Sequence, residues 1–255
     1  AAHTRSFEER LIAIGLPYKI IGGLRFYERK EIKDIIAYLR LVNNLSDDLA
    51  LERVINVPKR GIGKTTIGKI NQIARLNNIS MFDAAKKFAE ENQNKINIEI
   101  NNFILNILNW QKVKKNFDHI ELTKAILEDS KYIEHLENDA KNSKNPENLS
   151  RIDNINEFIE SLKDFENLEG FLEHVGLIME NINNTDAQTI SLMTMHGAKG
   201  LEFDYVFLAG WEEGVFPSQR SLDESGTKGL EEERRLAYVA ITRARKKIQI
   251  SYVNQ

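Results

Sequence analysis

The chain has 255 residues, 42 % of them hydrophobic and 29 % charged, enough for one large domain or two small ones with a real core. It has no run of about 18 apolar residues, so no membrane-spanning helix is expected, and Ala1 to Arg10 is charged and lacks the apolar stretch of a secretory signal. Cysteine is absent, which excludes disulfides, thiolate metal sites and a catalytic thiol and permits a reducing, cytoplasmic setting, and the net charge of −3 is not that of a generic nucleic-acid binder.

That charge is unevenly spread. Residues 1–44 carry a net +3, residues 45–186 a net −6, and residues 187–255 are neutral, so any contact with DNA must be a local patch. Tyr18–Ile21 reads as a short strand closed by the turn signal Gly22-Gly23. Glu28 to Val42 reads as a helix with Ile32, Ile35, Ile36 and Leu39 on one face. From about Leu45 the pattern becomes purely helical. Ser80-Met81-Phe82-Asp83 marks a helix start. Ile100, Phe103, Ile104, Ile107 and Leu108 form an amphipathic stripe, and Ile152, Ile155, Ile159 and Leu162 form another. Leu168, Phe171, Leu172 and Val175 form a third, and the polar stretch Asn138–Asn148 is expected to be a loop. At Thr189 the pattern switches back. Thr189–Met195 alternates as a strand, Tyr205–Ala209 has the continuous apolar character of a buried parallel strand, Leu230–Arg245 reads as a helix and Ile248–Val253 as a last strand. The simplest topology is one α/β domain built from both chain ends, residues 1–44 and 187–255, split by an all-helical insert, residues 45–186.

Two segments imitate a nucleotide site. Gly63-Lys64-Thr65 ends like a P-loop, but Pro58 stands where the first glycine of the phosphate cradle belongs, and no strand precedes it. The apolar run before Trp211-Glu212-Glu213 imitates a Walker B strand, yet has no P-loop to complete. Around Gly61-Ile62-Gly63 two readings stand on local features. One is a plain interhelical turn with solvated lysines. The other is a turn whose backbone N–H groups hold a DNA phosphate, aided by Lys59, Arg60, Lys64 and Lys69. The densest cluster of functional residue types is Thr194-Met195-His196-Gly197-Ala198-Lys199-Gly200-Leu201-Glu202-Phe203, a loop after a strand, where an open α/β sheet places its ligand. In the helix that follows, acids come first and arginines last. This suits the helix dipole, and an arginine there also suits a transferring phosphoryl group. A nuclease centre built from Glu231, Glu232 and Glu233 is disfavoured, because consecutive helical residues diverge by about 100°.

The segments TMHGAKGLEFDYVFLAGWEEGVFPSQRSL and LEEERRLAYVAITRAR resemble motifs V and VI of the UvrD/PcrA/Rep group of superfamily 1 DNA helicases. TRSFEERL and GGLRFYERKEIKDIIAYLRL resemble that family's motifs IV and IVa, VINVPKRGIGKTTI its GIG turn, and RIDNINEFIESLKDFENLEGFLEHV a later helix pair. Gly197 stands where serine is common and Ala240 where glycine is common; both are small. The resemblance implies a RecA-like parallel-sheet domain of the P-loop NTPase type (2A), interrupted by the helical 2B domain, with the first motor domain and its Walker motifs outside this sequence.

By the same resemblance, Arg243 is the arginine finger, Glu202 bonds the ATP ribose, Gly200 lets the backbone pass close to the nucleotide, and Arg5 contributes to the ATP interface. Thr194, His196 and Arg25 lie on the single-strand track. Lys59, Arg60, Gly61, Ile62, Gly63 and Lys64 hold duplex DNA. The implied cofactors are ATP and Mg2+, with Mg2+ held by the first domain and no metal ligands assigned to this chain. The implied partners are single-stranded and duplex DNA, the first RecA-like domain, and repair or replication proteins docking on 2B. The implied activity is 3′→5′ unwinding, to which this chain alone contributes no ATPase. The alternatives are a non-catalytic DNA- or protein-binding module and the helicase part of a helicase–nuclease.

Overall fold

The computed structural model describes residues 4–91, 94–143, 147–181 and 189–252. Its contacts divide the chain into two compact units, one comprising Ser6–Leu24 with Ala187–Gln255, the other Arg25–Asp186 together with Ala2–Arg5. Among the described residues no helix is long and apolar enough to cross a membrane.

In the first unit, α1 (Thr4–Ala13), whose Thr4 and Arg5 belong to the other unit, leads into β1 (Tyr18–Ile21), which pairs in parallel with β2 (Ile190–Met193), Tyr18 opposite Ile190 and Ile21 opposite Met193. The Tyr18 hydroxyl ties the strand back to α1 by donating to the buried Glu8 carboxylate at 2.9 Å. β3 (Phe203–Leu208), α11 (Gln219–Ile241) and β4 (Ala244–Ile250) form a strand–helix–strand unit in which β3 and β4 are parallel. Parallel neighbours need such a crossover, because a tight hairpin can join only antiparallel strands. The described strands thus form two separate two-stranded parallel sheets.

Two expectations change here. Tyr205 and Phe207, one face of the strand expected to be buried, are 62 % and 74 % exposed. Among the described residues β3 has one strand neighbour, and alternation puts these two rings on a side that no described residue covers. The last helix also stops at Ile241 rather than running to Arg245. There the Thr242 hydroxyl donates to the Tyr238 and Val239 carbonyls, and the chain turns directly into β4, which starts earlier than expected. Val253, the expected end of that strand, lies outside the described residues.

The second unit is helical: α2 (Lys30–Asn43), α3 (Asp48–Val54), α4 (Lys64–Asn77), α5 (Met81–Glu91), α6 (Lys95–Val113), α7 (His119–Asp129), α8 (Tyr132–Ser143), α9 (Glu147–Leu162) and α10 (Leu168–Asn181). The sequence stripes become its core. Ile100, Phe103, Ile104 and Ile107 of α6 are buried, and Phe158 of α9 meets Phe171 of α10 edge-on at 5.5 Å. The polar segment expected as a loop is mostly helix: α8 continues to Ser143 and α9 begins at Glu147, while residues 144–146 lie outside the described residues. Polar composition there marks a solvated helix face as readily as a loop.

The contacts divide the chain after Leu24, not after residue 44. The reason is α2, which is buried nearly all round, including two acids whose partners lie on helical neighbours. Asp34 receives the Tyr132 hydroxyl of α8 at 2.8 Å and pairs with Arg53 of α3 at 2.7 Å. Glu31 accepts from the Asn154 side chain of α9 at 2.7 Å. A buried carboxylate is tolerated only when held this way, so these bonds fix α2 among the helices. Burial and the adjacent Asp34 carboxylate push the Tyr132 hydroxyl far above its ordinary pKa, so it stays a proton donor.

Candidate functional site

The residues singled out by sequence, Arg5 and Arg25 apart, lie in two places, one in each unit. The first is the loop after β2. Thr194 builds it: its hydroxyl accepts from the Gly197 N–H at 3.1 Å and its carbonyl from the Ala198 N–H at 3.1 Å. A second turn follows, with Leu201 N–H donating to the Ala198 carbonyl at 3.0 Å. Gly200 has φ +84°, a conformation glycine adopts without steric cost. Ala198 is buried beneath the loop, which leaves Thr194, His196, Gly200 and Glu202 exposed.

Arg243, just past α11, closes onto this loop. Its carbonyl accepts from the Phe203 N–H at 2.9 Å and its Nη1 donates to the Leu201 carbonyl at 3.0 Å, so backbone and side chain bracket Glu202 from both neighbours. Nε donates to the Val239 carbonyl at 2.9 Å and Nη2 to the Thr242 hydroxyl at 2.9 Å. The guanidinium therefore rests on neutral acceptors, one of them the carbonyl of Leu201, which lies between Gly200 and the exposed Glu202 in the chain. Close by, Asp204 holds Arg245 and Lys246, each at 2.7 Å, and the Lys246 hydrogen bond keeps the Asp204 carboxyl below the usual carboxylate range.

The charge clusters of α11 take structural partners. Glu231 pairs with Arg234 at 2.9 Å and Glu232 with Arg235 at 3.2 Å, one helical turn apart. Glu233 receives the Ser218 N–H and the Ser221 hydroxyl at 3.1 and 2.9 Å, fastening the segment that folds back along the helix at the Gly226 kink. Gly229 is required for that fold, because a Cβ there would lie 2.1 Å from the Ser221 carbonyl oxygen.

The second place is the turn between α3 and α4. Asn56 Oδ1 accepts from the N–H groups of both Arg60 (2.8 Å) and Ile62 (3.1 Å), and Gly61 sits at φ +77°. Gly63 is the N-cap of α4 without a side-chain cap, and the first turn of α4 carries no acid. Neither the cap nor the first turn thus offers its leading amides a side-chain acceptor among the described residues, as suits an approaching anion. Lys59, Gly61, Gly63 and Lys64 are exposed. Two residues expected to touch DNA here face inward instead. Ile62 is fully buried with its N–H on Asn56, and the Arg60 guanidinium is bonded to the interior. Arg5 pairs with Glu157 and Asp164 at 3.8 and 3.5 Å, and the Arg25 N–H donates to the Glu28 carboxylate at 3.2 Å.

Sequence reasoning missed Asn56 and Tyr38. An asparagine that accepts from backbone N–H groups further along is a known turn signal, so Asn56 was findable. Tyr38, on α2, offered only a core aromatic pattern. No group of three or more metal-ligating side chains occurs among the described residues.

The sequence matches the UvrD-like helicase C-terminal domain family over residues 1–255. It is 51 % identical to the probable DNA helicase II homolog of Rickettsia conorii and 49 % identical to the DNA helicase II of Rickettsia typhi, in each case over 98 % of this chain and 38 % of the relative. It is 43 % identical to the ATP-dependent DNA helicase PcrA of Bacillus subtilis, over 98 % of this chain and 35 % of that protein. The chain thus spans little more than a third of the length of these relatives.

Proposed function

The chain belongs to the UvrD-like helicase C-terminal domain family, and from that premise we propose that it serves as the second, RecA-like motor domain (2A) and helical 2B insert of an ATP-dependent 3′→5′ DNA helicase. The observation that carries this reading is the closure of Arg243 on the Thr194–Glu202 loop, where its guanidinium donates to the Leu201 carbonyl, between Gly200 and the exposed Glu202 in the chain.

These residues fit the outer edge of a nucleotide. Glu202 is an acceptor for a ribose hydroxyl. Gly200 keeps the backbone low beside it. With ATP bound, the Arg243 Nη atoms would be free to trade the neutral Leu201 carbonyl and Thr242 hydroxyl for phosphate oxygens, a charge-assisted and stronger pairing. ATP bound between this domain and the first motor domain supplies the phosphoryl-transfer chemistry, and Mg2+ is assigned to the first domain. Thr194 and His196, exposed on the same loop, are placed on the single-strand track, with Arg25 as a further contributor.

In the helical unit, the N–H groups of Gly61 and Gly63 with the start of α4, flanked by Lys59 and Lys64, suit the phosphates of duplex DNA without reading bases. Such contacts suit an enzyme that acts at any sequence.

The test is Arg243→Ala in the full-length protein. The expected result is a loss of ATPase of about 10³-fold or more, the scale of a missing arginine finger, with DNA affinity retained. Unchanged ATPase would remove Arg243 from the site and favour a non-catalytic binding module. The present chain alone is expected to show no DNA-stimulated ATPase.

A further inference from the structure

Arg60 was expected to be one of several cations facing DNA, yet its geometry is that of an interior strut. Nη1 lies 3.1 Å from the Val54 carbonyl, 3.2 Å from that of Ile55 and 3.3 Å from that of Pro58. Val54 and Ile55 end α3, whose last carbonyls have no partner within the helix and attract a cation. Nη2 donates to the Tyr38 hydroxyl at 2.8 Å, and that hydroxyl in turn donates to the Val57 carbonyl. The guanidinium carbon stands 5.1 Å from the centre of the Phe103 ring. Tyr38 is itself buried, packed edge-on against Trp110 at 5.8 Å, and burial raises its pKa, so the hydroxyl keeps its proton. Side chains from α2 and α6 thus grip the residue immediately before Gly61. From the other side, Asn56 holds the N–H groups of Arg60 and Ile62, and the Ile62 side chain is sunk in the core.

We infer that Arg60 is a positioning residue: with Tyr38 and Asn56 it fixes the Gly61-Ile62-Gly63 turn, and it reads no phosphate itself. The inference rests on the duplex-binding reading for its consequence, but the shape of the turn is a separate observable. A guanidinium that swung out to a phosphate would take its donor away from the Ile55 and Pro58 carbonyls and a hydrogen bond away from the Tyr38 hydroxyl, a cost that the exposed Lys59 and Lys64 do not bear. Lysine cannot replace arginine here, because a single ammonium does not reproduce the planar fork that spans carbonyls and hydroxyl while stacking on a ring.

Two measurements on this chain separate the roles. The first is amide hydrogen exchange at Ile62, with Ile107 in α6 as the internal reference, in Arg60→Lys and Tyr38→Phe. Ile62 is expected to exchange about tenfold faster in Arg60→Lys, the scale of one lost charge-assisted hydrogen bond, and to shift in the same direction in Tyr38→Phe, with Ile107 unmoved. If Arg60→Lys loses protection at Ile107 as well, Tyr38→Phe decides. The second is duplex affinity across a salt series. Lys64→Ala is expected to reduce the log–log salt slope by about 0.9, one phosphate's worth, whereas Arg60→Lys weakens binding about tenfold at unchanged slope. Unaltered exchange at Ile62 in both variants overturns the inference. So does full affinity in Arg60→Lys combined with a reduced slope in Arg60→Ala. A wild-type chain that binds no duplex, but whose Ile62 exchange responds as expected, strikes the duplex reading and supports the positioning role.

Discussion

The two units of this chain bury themselves to very different degrees. In the α/β unit the buried apolar side chains among the described residues are Tyr18, Ala198, Phe216 and Ala240, while Tyr205, Phe207 and Tyr238 stand mostly in solvent. The helical unit holds all the rest, with Phe82, Phe103, Trp110, Phe158 and Phe171 at 1 % exposure or less. The difference follows from how each kind of element completes itself. A helix satisfies its own backbone and needs only one apolar stripe covered, so consecutive amphipathic helices can close a core locally. A parallel strand needs neighbours on its edges and helices on its faces, and among the described residues each has a single strand partner. The unit proposed to complete an ATP site is thus the one whose own core is thin, and the unit proposed to hold the duplex is the one that is rigidly packed.

The largest expected difference between the two units is in a matched pair of truncations. Phe158→Ala is expected to destabilise the helical unit by about 3–5 kcal/mol in urea unfolding, the range for a buried aromatic. Phe207→Ala, 74 % exposed, is expected to stay within about 0.5 kcal/mol. A large loss from Phe207→Ala would mean that the exposed sheet face is covered in solution. A smaller effect is expected from Tyr132→Phe, which leaves one oxygen of the buried Asp34 carboxylate without its donor. This should cost about 1–3 kcal/mol, and a silent substitution would show that Arg53 alone satisfies the Asp34 carboxylate. The smallest effect belongs to Asp204 in the α/β unit. Its folded pKa is depressed, so its pairs favour the folded state above the ordinary carboxylate pKa, and that contribution fades as pH falls through the lowered value. Lys246→Ala should return the carboxyl toward its ordinary pKa in an NMR titration, and an unmoved pKa would assign the shift to Arg245.

Much of the fold was legible because its signals are local. The strand at Tyr18–Ile21, the helix starting at Met81 with Ser80 accepting from the Asp83 N–H, and the stripe from Ile100 to Ile107 stand where periodicity and caps put them. The candidate site was half legible. Motif V and VI residues marked the loop and Arg243, but nothing in their spacing showed that Arg243 would rest on the Leu201 carbonyl. Around Gly61 the composition marked a cationic turn, and could not tell a cation that faces solvent from one that faces the core.

From the sequence alone came the family, the strand at Tyr18–Ile21, the helix starting at Met81 and the apolar stripe of α6. Each of these is written in short-range periodicity, turn residues or contiguous motifs. Only the tertiary structure decided that α2 packs with the helical body, that Tyr205 and Phe207 lie bare, and that Arg60 points inward. The partners that settle α2 and Arg60 are far off in the chain: Tyr38 is 22 residues from Arg60, Tyr132 is 98 from Asp34 and Asn154 is 123 from Glu31. A buried charge goes where its desolvation is answered by hydrogen bonds, and those bonds exist only once the helices that carry the partners have packed.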